Sequence, residues 1–184
     1  MKRKTAREIL AESFRELAQN KPIDKITVRD ITANCGYSQT TFYRQFQDKY
    51  DLIAWDYAQG VSEIMGKIGR GGYTWKQTLI EGAQGFQENR EYLTNLLQHT
   101  EGHDSFIRYM SEINYEALKQ HVQKVSEARE LTETIIMLIR LYCLGTVSLA
   151  CEWVLGRYQA SSTELYEVFV NSLPQPLHAY LLRE

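Results

Sequence analysis

Apolar residues recur along this chain at spacings of three and four, and no window sustains the every-other-residue alternation of a strand. In the first segment Ile9, Leu10, Phe14, Leu17 and Ala18 share one face. That segment starts near Thr5, which can cap it, and Asn20-Lys21-Pro22 stops it. A short helix is predicted over 28–34, burying Val28 and Ile31. Thr27 with Asp30 three residues on forms a capping-box-like pair at its start, and Gly36 closes it. Ser38 then caps a helix running to about residue 46, with Phe42 and Phe46 facing inward. Asp48 caps a longer helix carrying Leu52, Ile53, Trp55, Tyr57, Val61 and Ile64, which ends at the glycine-rich turn 69–72. Further helices are predicted over 74–87, 88–98, 104–126, 130–156 and 162–172, with a short one from 174. The chain has three prolines and no internal repeat, so the expected fold class is all-α.

Three helices with a glycine turn between the second and third fit within the first fifty residues, the layout of a helix-turn-helix. Charge adds a local asymmetry to that picture. Residues 1–55 carry ten Lys and Arg against seven Asp and Glu, whereas the rest carries eleven against sixteen. A basic module on an acidic body points to a polyanion partner, because a phosphate field is read locally. Three cysteines without a CxxC pair fit a reducing cytoplasm; Cys143 and Cys151 read as core residues, and Cys35 as a packed thiol. No apolar stretch follows the N-terminal charges, so no signal peptide is expected. The apolar run 135–155 has the length of a membrane span. It contains Arg140 and Glu152, however, and a central charge costs a lipid helix roughly 3 kcal/mol, so a helix buried in protein or at a subunit interface is expected.

The stretch SQTTFYRQF, residues 38–46, sets hydrogen-bonding side chains on an aromatic frame. A recognition helix packs apolar residues inward, presents short polar groups to base edges and holds phosphates with hydroxyls and cations. Gln39 and Thr40 lie at the exposed start: Gln can pair with adenine, and a Thr methyl can meet that of thymine. Ser38, Thr41, Tyr43, Lys49, Thr27 and the N-terminal Lys4 are candidate backbone contacts, and Arg44 reaches either a base or a phosphate.

Residues 26–52, ITVRDITANCGYSQTTFYRQFQDKYDL, closely resemble the DNA-binding domain of the TetR family of bacterial transcription regulators. The resemblance rests on Thr27, Gly36, Ser38, Phe42-Tyr43 and Phe46-x-x-Lys49. Thr40 stands where many members have Gly or Ala. DKYDLIAWDY, NREYLTNLLQ and CEWVLGRY look like the subgroup containing regulators of dihydroxyacetone-kinase operons, in which a co-regulator protein can supply the signal. The resemblance implies an N-terminal three-helix DNA-binding domain over 1–47 and a C-terminal helical dimerisation and ligand-binding domain over 48–184. It implies a cytoplasmic homodimer on double-stranded operator DNA, a repressor in preference to an activator, controlled by a small-molecule effector or a co-regulator protein. Two recognition helices set about 34–36 Å apart would then enter successive major grooves.

The family's dimer helices would be 130–156 and 162–172, and its effector pocket would lie among the helix after residue 48 and those at 104–126 and 130–156. Candidate lining residues are Trp55, Tyr57, Tyr109, Met110, Tyr115 and Tyr142, although aromatics at helical spacing also fill cores. Arg140 in its apolar run needs a partner, either one of Glu112, Glu116 and Glu152 or an anionic effector. No enzyme, cofactor or metal site is expected. HTEGHD offers His99 and His103 at i, i+4, but Gly102 interrupts them and no third ligand cluster is evident. A second reading keeps the helix-turn-helix shape as a protein-interaction module acting through a partner.

Overall fold

The computed structural model describes residues 4–102, 105–126 and 130–182. Among them are ten α-helices, one 3-10 turn and no strand, so the fold is all-α. The head contains α1 (Ala6–Ala18), the 3-10 turn Ile23–Lys25, α2 (Val28–Cys35) and α3 (Gln39–Tyr43). The body contains α4 (Lys49–Met65), α5 (Trp75–Glu88), α6 (Arg90–Gln98), α7 (Phe106–Ser126), α8 (Glu133–Val154), α9 (Ser162–Asn171) and α10 (Gln175–Leu181).

Local chemistry sets most of these boundaries. Thr5 with Glu8 and Thr27 with Asp30 form reciprocal capping boxes, and Ser38 and Asp48 accept first-turn N–H groups of α3 and α4. Gly36, at φ 73°, ends α2 in the left-handed conformation and sends Tyr37 N–H back to the Thr32 carbonyl, which makes the tight turn into α3. One boundary departs from the periodicity. α3 stops at Tyr43, short of residue 46, because nearby side chains take over the backbone groups that a longer helix would use. Arg7 donates to the Gln45 carbonyl at 2.9 Å, and Asp51 accepts the Gln47 N–H at 2.9 Å.

One apolar core runs from the head into the body. Leu10, Phe14, Ile31, Phe42 and Phe46 continue into Leu52, Ile53, Leu96, Phe106 and Trp153. A second core, distal to the head, gathers Tyr115, Leu118, Val122, Ile139, Leu173 and Leu177. α8 lies along α7, and α5 lies along α9. Among the described residues α8 is the one helix long and apolar enough to cross a membrane. Its inner side enters both cores, while Met137, Leu141 and Leu144 stand exposed on the outer side at i, i+4, i+7. Arg90 pins its C-terminal end by donating to the Trp153 and Val154 carbonyls at 2.8 and 2.9 Å.

Candidate functional site

α3 is fastened by its aromatic face. Phe42 and Phe46 are buried with ring centroids 5.7 Å apart, and Phe46 packs on Trp55 of α4. Fixing that face turns Gln39, Thr40, Tyr43 and Arg44 outward on one strip, because residues i, i+1, i+4 and i+5 lie together on a helix. Tyr43 is 58% exposed, and its ring meets Phe42 edge-on. Thr41 is half-buried; its N–H and hydroxyl are joined to the Ser38 cap at 3.1 and 3.0 Å. Thr27 is exposed at the start of α2 and is held in place through Asp30. Lys21 at 2.7 Å and the Thr27 groups hold that carboxyl at about 2, well below its usual range. Arg29, exposed on the next turn, adds a cation that the sequence reading passed over. Its signal was position alone, two residues from a capping threonine.

Two expected DNA contacts sit differently. Lys4 pairs on the surface with Glu12 at 2.6 Å, a solvated bond that costs little to exchange. Lys49 turns inward: its ammonium donates to the Ile23, Asp24 and Ile26 carbonyls at 2.8, 3.1 and 2.9 Å. An ammonium has three N–H donors, and all three are engaged, so Lys49 anchors the 3-10 turn in place of a phosphate. Burial pushes its pKa down.

Two further joints tie the head to the body. Asn95 of α6 donates to the Ala18 and Lys21 carbonyls at 2.8 and 3.0 Å and accepts the Ile23 N–H at 3.1 Å. Arg15 of α1 bonds Asp56 of α4 at 2.6 Å, and its guanidinium lies 5.9 Å from the Tyr92 ring centroid.

A cavity of about 280 Å³ lies among α4, α5, α7 and α8, just under the usual size of a small-molecule site. Of the expected lining residues, Tyr142 and Tyr57 face it. Trp55 does not: it packs against the Phe46 ring and the Arg7 guanidinium, toward the head. Trp55 and Tyr57 are two residues apart on one helix, about 200° around its axis, so they cannot share a wall. Tyr109, Tyr115 and Arg140 also lie outside the walls. The Arg140 guanidinium sits 3.6 Å from the Tyr115 ring centroid and bonds Glu112 at 2.7 Å on the solvated α7–α8 surface. Its partner is therefore Glu112; Glu152 is occupied by Arg157 at 3.4 Å. Met110 packs elsewhere, against Cys151. Burial raises the pKa of Tyr57 and Tyr142 and pushes the Cys143 thiol up to about 12, so the walls are uncharged at neutral pH apart from paired groups. His99 bonds the Asn95 carbonyl at 2.9 Å, while His103 and Asp104 of the HTEGHD stretch fall outside the described residues.

Residues 9–54 match the model of bacterial regulatory proteins of the tetR family, and residues 73–175 match that of a transcriptional regulator C-terminal region. A curated relative, the HTH-type dhaKLM operon transcriptional activator DhaS of Lactococcus lactis subsp. lactis (strain IL1403), is 26% identical over 83 residues. That stretch is 45% of this chain and 44% of the relative, so the match spans less than half of the relative's length. Among solved structures, the dihydroxyacetone kinase operon activator DhaS has a TM-score of 0.65 at 18% identity, covering 95% of this chain and 97% of that one. FadR of Thermus thermophilus, a TetR-family transcriptional repressor in complex with lauroyl-CoA, has a TM-score of 0.62 at 18% identity, covering 97% and 96%.

Proposed function

This chain belongs to the TetR family of bacterial regulatory proteins, and on that premise we propose that it is a cytoplasmic, homodimeric repressor released from its operator by a small molecule held in the body. The observation that carries the reading is the outward strip Gln39, Thr40, Tyr43 and Arg44 on a helix whose opposite face is locked by Phe42 and Phe46. Gln39 and Thr40 read base edges. Thr27, Ser38, Thr41 and Tyr43 donate to phosphates, with Lys4 and Arg29 as surrounding cations, and Arg44 takes either role. Lys49 acts as a positioning residue beneath them.

The exposed strip Met137, Leu141 and Leu144 on α8, with Val168 on α9, supports pairing with a second copy. Gly145 lies beside Leu144, and a Cβ there would meet nothing, which allows close approach of a partner helix. Residues 1–47 would bind DNA and 48–184 would dimerise and sense. The Arg15–Asp56 bond and the Asn95 joint would carry the change, because both cross between the two parts and Arg15 and Asp56 also reach the cavity wall. Repression needs only that the dimer occupy its site, whereas activation needs a further surface. The likeness to DhaS, named an activator, favours a second reading in which the chain activates transcription, and the subgroup resemblance of its sequence adds a partner co-regulator as the source of the signal.

Fluorescence anisotropy on DNA upstream of the chain's own gene, beside an unrelated duplex, tests the proposal. Nanomolar binding to the upstream fragment alone, with a steep fall in log affinity against log salt, is the expected result. Tyr43→Ala should weaken all sequences alike with little change in that slope, because tyrosine carries no charge, while Thr40→Ala should change sequence preference. Weak, equal binding to both duplexes would overturn the reading in favour of a partner-dependent head.

A further inference from the structure

Trp75 opens α5 and is 6% exposed, yet its indole N–H has no hydrogen-bond partner, although the ring lines the cavity. The contrast with Trp153 is direct, since that indole donates to the Ala160 carbonyl at 2.6 Å. The Tyr142 hydroxyl lies near enough to Trp75 to feel its N–H, but not in hydrogen-bonding geometry, and Tyr142 spends its own proton on the Phe169 carbonyl at 2.8 Å. A buried donor left unpaired is costly, so an acceptor that meets it is strongly favoured. A second donor faces the same space. Tyr57 accepts from Asn114 at 2.6 Å, while the remaining Asn114 amide hydrogen goes to the Met110 carbonyl at 2.8 Å. That leaves the Tyr57 hydroxyl hydrogen without an acceptor among the described residues.

The charges at the wall are already matched. Arg15 is bonded to Asp56, and Glu81 to Lys67 at 2.8 Å. A carboxylate or phosphate placed among these apolar walls would find no free cation, and an unpaired buried charge is far more costly than a buried carbonyl.

Three glycines form a second, independent observation. Gly60 lies inside α4, and Gly82 and Gly85 inside α5; all three line the cavity. None has positive φ, and a Cβ on any of them would meet no atom within 4 Å. Glycine inside a helix destabilises it relative to alanine, and neither backbone geometry nor crowding requires it here. What the three share is the space they keep clear between α4 and α5.

We propose that the cavity takes an uncharged, mainly apolar molecule whose carbonyl or ether oxygen accepts from Trp75, admitted through a gap that Gly60, Gly82 and Gly85 keep open. The inference rests on the ligand-controlled reading above and names the ligand's class.

The test is calorimetric titration of the full chain with 2-decanone and with decanoate, which share a chain length and differ in charge. The ketone should bind at least tenfold tighter. Trp75→Phe keeps the ring, removes the N–H, and should weaken the ketone about fivefold, the worth of one hydrogen bond. Gly82→Leu should fill the gap and abolish binding, with an unchanged helical circular dichroism spectrum showing that the fold is retained. Equal or tighter binding of decanoate, binding of neither probe, or ketone affinity unmoved by both variants overturns the inference. Operator anisotropy on the same samples separates the two claims. Specific DNA binding alongside failed ketone binding sinks the ligand class alone. Ketone binding in a protein that binds no specific DNA sinks the regulator reading and leaves the cavity assignment standing.

Discussion

Replacing Asn95 by alanine is expected to loosen the head from the body and to destabilise the whole chain. The side chain makes three bonds across 72 to 77 residues of sequence, to the Ala18 and Lys21 carbonyls and from the Ile23 N–H. A typical hydrogen bond contributes about 0.5–1.5 kcal/mol net, so three contribute about 1.5–4.5 kcal/mol. Water can replace some of this, because Asn95 and Lys21 are only half-buried, whereas Ala18 and Ile23 are buried. A loss of about 2–3 kcal/mol follows, or a fall in Tm of about 4–12 °C for a chain of this size. Urea unfolding followed by circular dichroism and by tryptophan fluorescence measures it. Gln98→Ala, exposed on the same helix, is the control and should change stability by less than about 0.5 kcal/mol. Asn95→Asp keeps the acceptor for Ile23 but sets a carboxylate against two carbonyls, and should cost at least as much as alanine. A loss below about 1 kcal/mol for Asn95→Ala, or a neutral Asn95→Asp, would refute the claim that these bonds hold the joint.

Leu141→Glu should convert the proposed dimer to a monomer in sedimentation velocity at micromolar concentration. Leu141 is 67% exposed in the protomer, so covering it is worth about 1–2 kcal/mol per copy and twice that per dimer; an unchanged dimer would remove α8 from the interface. Lys49→Met should lower stability and operator affinity together, because it frees the carbonyls of the 3-10 turn, whereas Tyr43→Ala should lower affinity alone; unfolding and anisotropy on both variants make the comparison. Asp30 has its folded carboxyl pKa depressed from 3.8 to about 2, chiefly by Lys21 and then by the Thr27 groups. Its contribution is therefore present above pH 3.8 and lost as pH falls toward 2. Solvent screening keeps the effect under about 1 kcal/mol, and the pH dependence of the urea midpoint in that window should be shallower for Asp30→Asn.

The helix-turn-helix was legible in the chain itself because its signals are local. The Thr27, Ser38 and Asp48 caps, the Gly36 turn and the Phe42–Phe46 spacing each act within a few residues, and together they determine which side of α3 faces out. The all-α body was legible for the same reason, through its 3.6-residue rhythm. Even the short α3 had a long-range cause, since Arg7 takes a carbonyl 38 residues away. Periodicity says which residues share a face, but not what that face meets. Trp55 and Tyr57 read alike as large apolar residues of one helix, and only packing sent the first toward the head and the second to the cavity. Arg140 read as a buried charge because its neighbours in sequence are apolar, yet it lies on a solvated seam beside Glu112. Lys49 read as a phosphate donor until three carbonyls from the preceding turn were found around it. The Asn95 joint, the unpaired indole of Trp75 and the open side of Gly82 depend on groups brought together from distant parts of the chain. Caps and turns are settled by bonds within one turn of backbone; joints and cavities arise only when whole helices dock.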